Sequence, residues 1–399
     1  MAKYPFGTVT ITPYTRRLIK KALDSGRVSG GRLVRDFERK FAALVGSKEA
    51  VAVSSGTDAV ALALAVLYDS GARRNDEVIV PALSFAATGN AVLQAGFTPI
   101  FVDIQRHTLN INPEKVEGAI TEKTKAILVV HLMGKPADMD AITRIAKKHK
   151  LFLIEDAAEA QGARYKGKNV GTLGDMAAFS LYIAHIISTV EGGIIATNNR
   201  AYAEVARSLR AHGRACKCDA CIINVNSSYC AKRFHYNEDV RFIFERIGFS
   251  AKMNELEAAF GLGYLKAYDT IFRRRKKNVM YLRKRFEKFN RYFYTTEEAP
   301  DEEIAPYAFP IIVKEKTKFK REQFIHFLEK NGIEARTLFA SMPTQCAGFA
   351  FLGHEFGDFP QAEYIGKNGL HIGVHQGINR AAIDYFIKTT EKFLLTHTT

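Results

Sequence analysis

Short apolar runs alternate with amphipathic stretches along the first two thirds of the chain. The apolar, β-branched runs predict strands, whereas residues 58–71 and 137–150 repeat apolar positions with a helical period. Such alternation predicts a mostly parallel sheet covered by helices, which binds ligands at the carboxyl ends of its strands. The predicted strands cover residues 50–55, 76–82, 98–104, 125–132, 151–156, 176–182 and 192–198.

The pattern changes in the last third of the chain. A basic helical stretch, residues 272–289, leads into an acidic loop at residues 295–306, and a strand and two helices follow. We therefore predict two domains. Residues 1–265 form a large α/β domain, and residues 266–399 form a smaller α+β domain.

Composition favours an ordinary soluble protein, with 47% hydrophobic and 25% charged residues. No apolar run reaches the roughly 20 residues of a bilayer span, and the N-terminal segment lacks the apolar core of a signal peptide. We therefore expect no membrane association and a cytoplasmic location. The formal charge of +15 comes from scattered basic residues without a nucleic-acid-binding motif. A basic surface that attracts a small anionic substrate explains the charge equally well, and we expect no nucleic-acid partner.

Four strand ends carry residues with candidate chemistry. The segment SSGT, residues 54–57, opens a helix whose free N–H groups can hold a phosphate, although serine is equally typical of an N-cap. Phe85 either stacks on a flat ligand ring or belongs to the core. Asp156 ends a buried strand, where it needs a cation as partner or serves as an N-cap. The fourth segment, residues 179–193, contains His185.

Together and in this order, these segments resemble the DegT/DnrJ/EryC1/StrS sugar aminotransferase family. The motifs that carry the resemblance include SSGTDAVAL, HLMGKPADMDAI, EDAAEAQGA and EGGIIATN, and the resemblance covers nearly the whole chain. It implies fold type I of the PLP-dependent enzymes, the aspartate aminotransferase fold, with PLP or PMP as cofactor. The implied cofactor-binding residues are Gly56, Thr57 and Ser180 at the phosphate, Phe85 on the ring, Asp156 at the ring nitrogen, and Gln161 in the Asp156 motif.

The family motif has a lysine, which binds the cofactor covalently, at the position of His185. Histidine cannot form that link, but it can transfer protons near neutral pH. The substitution resembles a branch of the family that contains 3-dehydratases of nucleotide-linked 4-keto-6-deoxy sugars. It implies a PMP/PLP-dependent dehydration with His185 as the base. The alternatives are a PLP-dependent nucleotide-sugar aminotransferase, an inactive paralogue and a non-catalytic scaffold stapled by a metal.

The resemblance implies roles for three further residues. Ser250 takes the place of an asparagine that, in the family's homodimers, reaches the partner's cofactor phosphate, so we expect a homodimer. Arg336, in the GIEAR segment, is expected to contact the substrate. His375 is expected to line the site or to be a structural histidine.

Four cysteines cluster in a segment at about residues 212–245, which we predict to be an insertion in the large domain. Thiolates this close together bind iron–sulfur clusters or zinc. In the CDP-sugar branch of the family, a cysteine-rich insertion at this place helps to hold a [2Fe–2S] cluster. That likeness favours a cluster and an NAD(P)H-dependent reductase, with zinc or uncommitted thiols as alternatives. Without a cluster, an amino donor such as glutamate would recharge the cofactor. The candidate ligands are Cys216, Cys218, Cys221 and Cys230.

Overall fold

The computed structural model of the chain describes residues 2–218, 221–223, 229–234 and 237–397. In these ranges the α-helices are α1 (Pro13–Asp24), α2 (Arg32–Val45), α3 (Gly56–Ala65), α4 (Ala86–Gln94), α5 (Pro113–Val116), α6 (Met139–His149), α7 (Arg200–Leu209), α8 (Glu255–Phe286), α9 (Arg321–Lys330), α10 (Met342–Gln345), α11 (Pro360–Asn368) and α12 (Arg380–His397). The strands are β1 (Glu49–Val53), β2 (Glu77–Pro81), β3 (Thr98–Val102), β4 (Thr124–Val130), β5 (Phe152–Asp156), β6 (Arg164–Tyr165), β7 (Lys168–Asn169), β8 (Met176–Ser180), β9 (Gly193–Thr197), β10 (Phe293–Tyr294), β11 (Glu302–Glu303), β12 (Ala308–Val313), β13 (Ala335–Thr337) and β14 (Gly369–Gly373).

In the described residues, seven strands form a central sheet in the order β1-β9-β8-β5-β4-β2-β3. The neighbours from β8 to β3 run parallel, and β9 runs antiparallel to both β8 and β1. These seven strands fall on the seven predicted ones, so the prediction of a mostly parallel α/β sheet is confirmed. Most of their residues are buried, which is why they read as continuous apolar runs in the sequence.

A smaller antiparallel sheet, β10-β12-β14-β13, forms in the C-terminal part. One face of this sheet packs with α9 and α12 around a core rich in phenylalanine. Aromatic rings bury a large apolar area each, so a few of them hold a small unit together. The predicted α+β character of this region is confirmed.

The long helix α8 connects the two regions. It begins with a capping box, in which Asn254 accepts from the Glu257 N–H and the Glu257 carboxylate accepts from the Asn254 N–H. Helix α8 packs against α1 and α2 near its start and against α12 in the C-terminal region. The helix runs without a break through residue 265, so the predicted domain boundary falls inside it. The division into two domains stays a prediction.

A membrane-spanning helix must be both long and apolar. Within the described ranges, no helix combines the length and the apolar character that a bilayer crossing requires. The longest one, α8, carries the basic run at residues 273–277 in its second half. The cytoplasmic location stays a prediction.

Candidate active site

A cavity of about 620 Å³ lies where the carboxyl ends of the parallel strands face the small sheet. One wall comes from residues that follow β1, β2, β4, β5 and β8, and the other wall comes from the segments around β12, β13 and β14. The sequence predicts a ligand at this position, because open α/β sheets bind ligands at the carboxyl edge. The lining residues that matter for the chemistry are Gly56, Thr57, Phe85, Thr88, Asp156, Glu159, Ser180, His185, Tyr307, Arg336 and His371.

At one end of the cavity, helix α3 begins directly after β1. Ser55 is its N-cap, and its hydroxyl oxygen accepts from the Asp58 N–H at 3.0 Å. The N–H groups of the residues before Asp58 point out of the helix end, where they attract an anion. A Cβ added to Gly56 would lie 2.6 Å from the Cβ of Ser180, so only glycine lets the helix start approach β8 this closely. The predicted phosphate-binding residues Gly56, Thr57 and Ser180 therefore lie together.

Asp156 ends β5, and its side chain is buried at the cavity wall. Its Oδ2 accepts from the Thr88 hydroxyl at 2.9 Å, and its Oδ1 accepts from the Ala158 N–H at 3.2 Å. Burial still raises the pKa of Asp156, because the charged form is poorly solvated there. A cation in the cavity would stabilise this carboxylate, and a protonated pyridine nitrogen is such a cation.

Glu159 is a second buried carboxyl group on the cavity wall, and the sequence analysis did not single it out. Its Oε2 accepts from the Met133 N–H at 2.7 Å. Its pKa is raised to about 8, mainly by burial and also by the charge of Asp156, while the hydrogen bonds with Met133 and Tyr307 oppose the rise. At neutral pH Glu159 therefore holds a proton. The available signal was its place in the EDAAEAQGA motif, three residues after Asp156.

Gln161, predicted from the same motif to bind the cofactor, is not among the residues that line the cavity. Its amide donates to the carbonyl of Ser180 at 2.7 Å, and its oxygen accepts from the Ile187 N–H at 2.6 Å. These two contacts join the ends of the loop that contains His185. The structure therefore places Gln161 as a support for that loop.

His185 lies in the loop after β8, buried at the cavity wall. Its ring stacks on Tyr307, with the ring centroids 5.1 Å apart and an interplanar angle of 26°. Its Nδ1 is buried without a hydrogen-bond partner in the described structure. Burial lowers the pKa of His185 to about 3, with a smaller contribution from Arg275. The imidazole is therefore neutral near pH 7.

Two further predicted residues line the cavity. Phe85 is 60% exposed and lies 5.5 Å from Phe339, ring centroid to ring centroid. An exposed ring at a cavity wall is available to stack on a flat ligand. Arg336 lies on β13, and its guanidinium group stacks at 3.9 Å over the ring of Phe6.

Ser250 and His375 do not line the cavity of this chain. Ser250 is exposed and pairs with Ala211 in an isolated β-bridge. An exposed residue away from the cavity is compatible with a role in a partner's site, which stays a prediction. His375 interacts with the backbone at both ring nitrogens, through the Pro5 carbonyl at 3.1 Å and the Gly377 N–H at 3.2 Å. Of the two predicted roles, the structural one fits these contacts.

The four clustered cysteines lie within the described residues, but the predicted insertion at about residues 212–245 is described only in part. All four are free thiols. Burial raises the pKa of Cys218 to about 11, as does the neighbouring Cys216 thiol. Among the described residues, no group of three or more His, Cys, Asp or Glu side chains is arranged to hold a metal ion. The arrangement described here therefore does not fit a metal centre, and we derive no step through one.

The cavity residues do fit PLP or PMP. The close approach of Gly56 to Ser180 leaves a helix N-terminus for the phosphate, and the buried carboxylate of Asp156 suits a protonated ring nitrogen. Phe85 offers an exposed ring face. In the described part of the cavity wall, however, no lysine is present.

Comparison with known proteins decides the family. The DegT/DnrJ/EryC1/StrS aminotransferase family matches residues 10–391. The chain belongs to this family. It is 34% identical to the GDP-4-keto-6-deoxy-D-mannose 3-dehydratase of Yersinia pseudotuberculosis, over 94% of this chain and 95% of that protein. It is also 34% identical to the GDP-perosamine synthase of Caulobacter vibrioides, over 95% of each chain.

A solved relative supports the same fold. The Escherichia coli GDP-4-keto-6-deoxy-D-mannose-3-dehydratase with bound hydrated PLP superposes with a TM-score of 0.86. The two chains are 32% identical, and the match covers 98% of this chain and 99% of that one. The family resemblance and the predicted PLP-dependent α/β fold are therefore confirmed. The relatives therefore include both a 3-dehydratase and a perosamine synthase.

Proposed function

We propose that this chain is a PMP/PLP-dependent 3-dehydratase of a nucleotide-linked 4-keto-6-deoxyhexose, with His185 as the proton-transferring base. The observation that carries the proposal is the pairing of a neutral, unpartnered histidine with the absence of lysine from the described cavity wall. Proton transfer is retained at the position where the family has its lysine. The covalent link is lost there.

The bound cofactor would supply an amine that condenses with a sugar ketone and a ring that accepts electrons. The protein's residues position it. The N-terminus of α3, with Gly56, Thr57 and Ser180, would hold the phosphate. Asp156 would hold the proton on the ring nitrogen, since its buried carboxylate has no cationic partner among the described contacts.

His185 is held so that its ring faces the cavity. The loop that contains it is fixed at both ends by Gln161, and Arg275 donates from Nη2 to the His185 carbonyl at 3.2 Å. Stacking on Tyr307 fixes the plane of the ring. A base that is neutral and already oriented can accept a proton without first breaking a hydrogen bond.

Glu159 complements His185 on the cavity wall. The raised pKa of Glu159, about 8, keeps the carboxyl group protonated at neutral pH. A neutral carboxylic acid can donate a hydrogen bond or a proton to a departing hydroxyl group, as elimination of water requires. The cavity therefore contains both a proton acceptor and a proton donor.

The substrate class rests on the relatives. The dehydratase of Yersinia pseudotuberculosis and the synthase of Caulobacter vibrioides are both named for GDP-linked products or substrates. We therefore propose a nucleotide-linked sugar for this chain, and a homodimer in which Ser250 reaches the partner's site.

A nucleotide-sugar aminotransferase is the second candidate. The 34% identity to a perosamine synthase favours it as much as the same identity to a dehydratase favours elimination. Against it, amino transfer in this family is expected to depend on the motif lysine, whose position His185 takes in this chain. The site therefore favours dehydration.

The way in which the amine form is restored is a separate question. The predicted iron–sulfur cluster and its reductase rest on four clustered cysteines, which in the described structure do not form a metal site. The dehydration proposed above does not depend on them. Iron, sulfide and zinc analysis of anaerobically purified protein tests the cluster independently.

Borohydride reduction in the presence of PLP tests the proposal. We expect the wild-type protein to give no covalent adduct on a cavity lysine in peptide mapping by mass spectrometry. The matched control is His185→Lys, which restores the lysine of the family motif and should give an adduct at position 185. An adduct on a cavity lysine of the wild-type protein would overturn the dehydratase proposal.

A further inference from the structure

A second histidine faces the same cavity, and nothing in the sequence analysis pointed to it. His371 lies in the middle of β14, is 2% exposed and lines the cavity wall that the small sheet provides. Its Nδ1 is buried without a hydrogen-bond partner, and no contact to its Nε2 is present in the part of the chain that the structure describes. Both polar atoms of this side chain are therefore unsatisfied by the protein.

The other buried histidines show how the protein normally treats this side chain. His131 accepts from the Ala137 N–H at 3.0 Å and contacts the Glu155 carboxylate at 3.1 Å. His375 uses both nitrogens on backbone groups. Among the described residues, His185 and His371 are the buried histidines whose Nδ1 has no hydrogen-bond partner, and both line the cavity. A buried polar group left unsatisfied destabilises the fold, so its retention at a cavity wall points to a ligand.

The neighbours of His371 indicate which ligand chemistry it meets. His371 and Arg336 are directly opposite each other on the antiparallel strands β14 and β13, so their side chains point to the same face of the sheet. The Phe6 ring lies against both of them, 3.9 Å from the Arg336 guanidinium and 5.2 Å from the His371 ring. Among the described residues that line the cavity, Arg336 is the only arginine or lysine.

The charges of His371 and Arg336 indicate which kind of ligand group fits beside them. Burial, together with the charge of Arg336, lowers the pKa of His371 to about 3. The imidazole is therefore neutral and keeps one N–H donor. Among the described residues Arg336 has no acidic partner; its guanidinium group stacks on Phe6 and stays available to an anion. A positive guanidinium beside a neutral N–H donor suits an oxygen that carries negative charge.

We propose that His371 donates a hydrogen bond to an anionic oxygen of a ligand that Arg336 also contacts. Two ligands of the proposed reaction have such oxygens, the carboxylate of an amino-acid donor and the diphosphate of a sugar nucleotide. The naming of these two rests on the proposed function, whereas the site itself rests on the contacts of His371 and Arg336. His371 is thus a specificity-determining residue on the wall opposite the cofactor-binding loops.

Binding measurements test the site without turnover. Glutamate and GDP are titrated separately into the PMP-loaded protein by calorimetry, with His371→Phe and His371→Gln as variants. We expect His371→Phe to weaken one probe by roughly 10- to 100-fold, the effect of losing a hydrogen bond to a charged group. Weaker glutamate binding assigns the carboxylate, and weaker GDP binding assigns the diphosphate. Unchanged affinity for both probes, or no binding of either to the wild type, overturns the proposal.

The conservative variant and a stability measurement separate a ligand contact from a structural role. His371→Gln places an amide donor near the position of Nε2 and should retain more affinity than His371→Phe. Since His371 makes no hydrogen bond within the protein, His371→Phe should unfold at the same or a higher temperature. The matched change His375→Phe removes two backbone contacts and should lower that temperature. A fall for His371→Phe as large as that for His375→Phe would overturn the proposal. Failure of the dehydratase assay would leave these binding results unaffected.

Discussion

The ring of His185 stacks on the ring of Tyr307, with a centroid separation of 5.1 Å and an interplanar angle of 26°. The buried side chain of Arg275 supports both partners, since it donates to the carbonyl of His185 at 3.2 Å and to that of Tyr307 at 3.5 Å. His185 lies in the loop after β8 of the large sheet, whereas Tyr307 directly precedes β12 of the small sheet, 122 positions further along the chain. Their stacking therefore depends on how the small sheet is placed against the large one.

This stacking makes Tyr307 a positioning residue. We expect Tyr307→Ala to lower kcat by on the order of 10- to 100-fold with a smaller effect on KM, because the freed imidazole no longer has one orientation. Tyr307→Phe keeps the ring and should retain kcat within a few-fold. Steady-state kinetics of the two variants checks the prediction. Equal losses in both variants would assign the role to the hydroxyl group, against the stacking account.

Removal of the base should affect the chemical step. His185→Asn is expected to lower kcat by about 100- to 10,000-fold, the usual contribution of a general base, while cofactor binding is retained. The same substitution at His326, on the exposed side of α9, is the control and should leave kcat unchanged. Kinetics and cofactor absorbance are measured on the same samples. Near-normal turnover by His185→Asn would show that another group is the base.

The cofactor phosphate site can be tested through its backbone geometry. Gly56→Ala would bring a Cβ to 2.6 Å from the Cβ of Ser180, and both atoms belong to tightly held segments. We expect the Kd for PMP to rise by about tenfold or more, since the helix start and β8 must separate. Gly118→Ala is the control, because a Cβ there would meet nothing within 4 Å. Equal PMP affinities for the two variants would contradict the placement of the phosphate.

We expect the free energy of unfolding to depend on pH because of His185 and His371, whose Nδ1 atoms are buried without a partner. Their folded-state pKa values, about 3, lie below the ordinary value of 6.5, so below about pH 6.5 the unfolded chain binds protons that the folded chain does not. Each histidine therefore lowers the free energy of unfolding by about 1.4 kcal/mol between about pH 7.5 and pH 5.5. His371→Phe removes one of these contributions, so its stability relative to wild type should rise by that amount on acidification.

Glu159 changes the free energy of unfolding with pH in the opposite direction. Its pKa of about 8 lies above its ordinary value, so the folded protein keeps the proton. This contribution is common to wild type and His371→Phe and cancels in their difference. Denaturant unfolding at the two pH values therefore gives a clean comparison. A difference that is independent of pH would show that the His371 imidazole is not kept neutral by burial.

The sequence predicted the central sheet well, for a physical reason. Strands buried on both faces are largely apolar, so the seven strands read as mostly apolar runs. The phosphate end was also predictable, because Gly56 and Ser180 each follow or end such a strand. Local signals suffice where one strand end alone determines a residue's position.

Residues whose role depends on contacts between distant segments were harder to predict. Glu159 and Gln161 are two positions apart in one motif. Glu159 lines the cavity, whereas Gln161 forms hydrogen bonds with the backbone at both ends of the loop after β8. His371 looks like a polar residue inside an apolar strand, and its role becomes visible only beside Arg336. Tyr307 likewise acquires its role from His185, which lies in the distant loop after β8.

The product formed from a nucleotide-linked 4-keto-6-deoxy sugar distinguishes dehydration from amino transfer. PMP-loaded protein is incubated with GDP-4-keto-6-deoxymannose, with glutamate present, and the products are identified by mass spectrometry. The account predicts a GDP-sugar that has lost the 3-hydroxyl oxygen and contains no additional nitrogen. A GDP-linked 4-amino sugar with its 3-hydroxyl intact would contradict it.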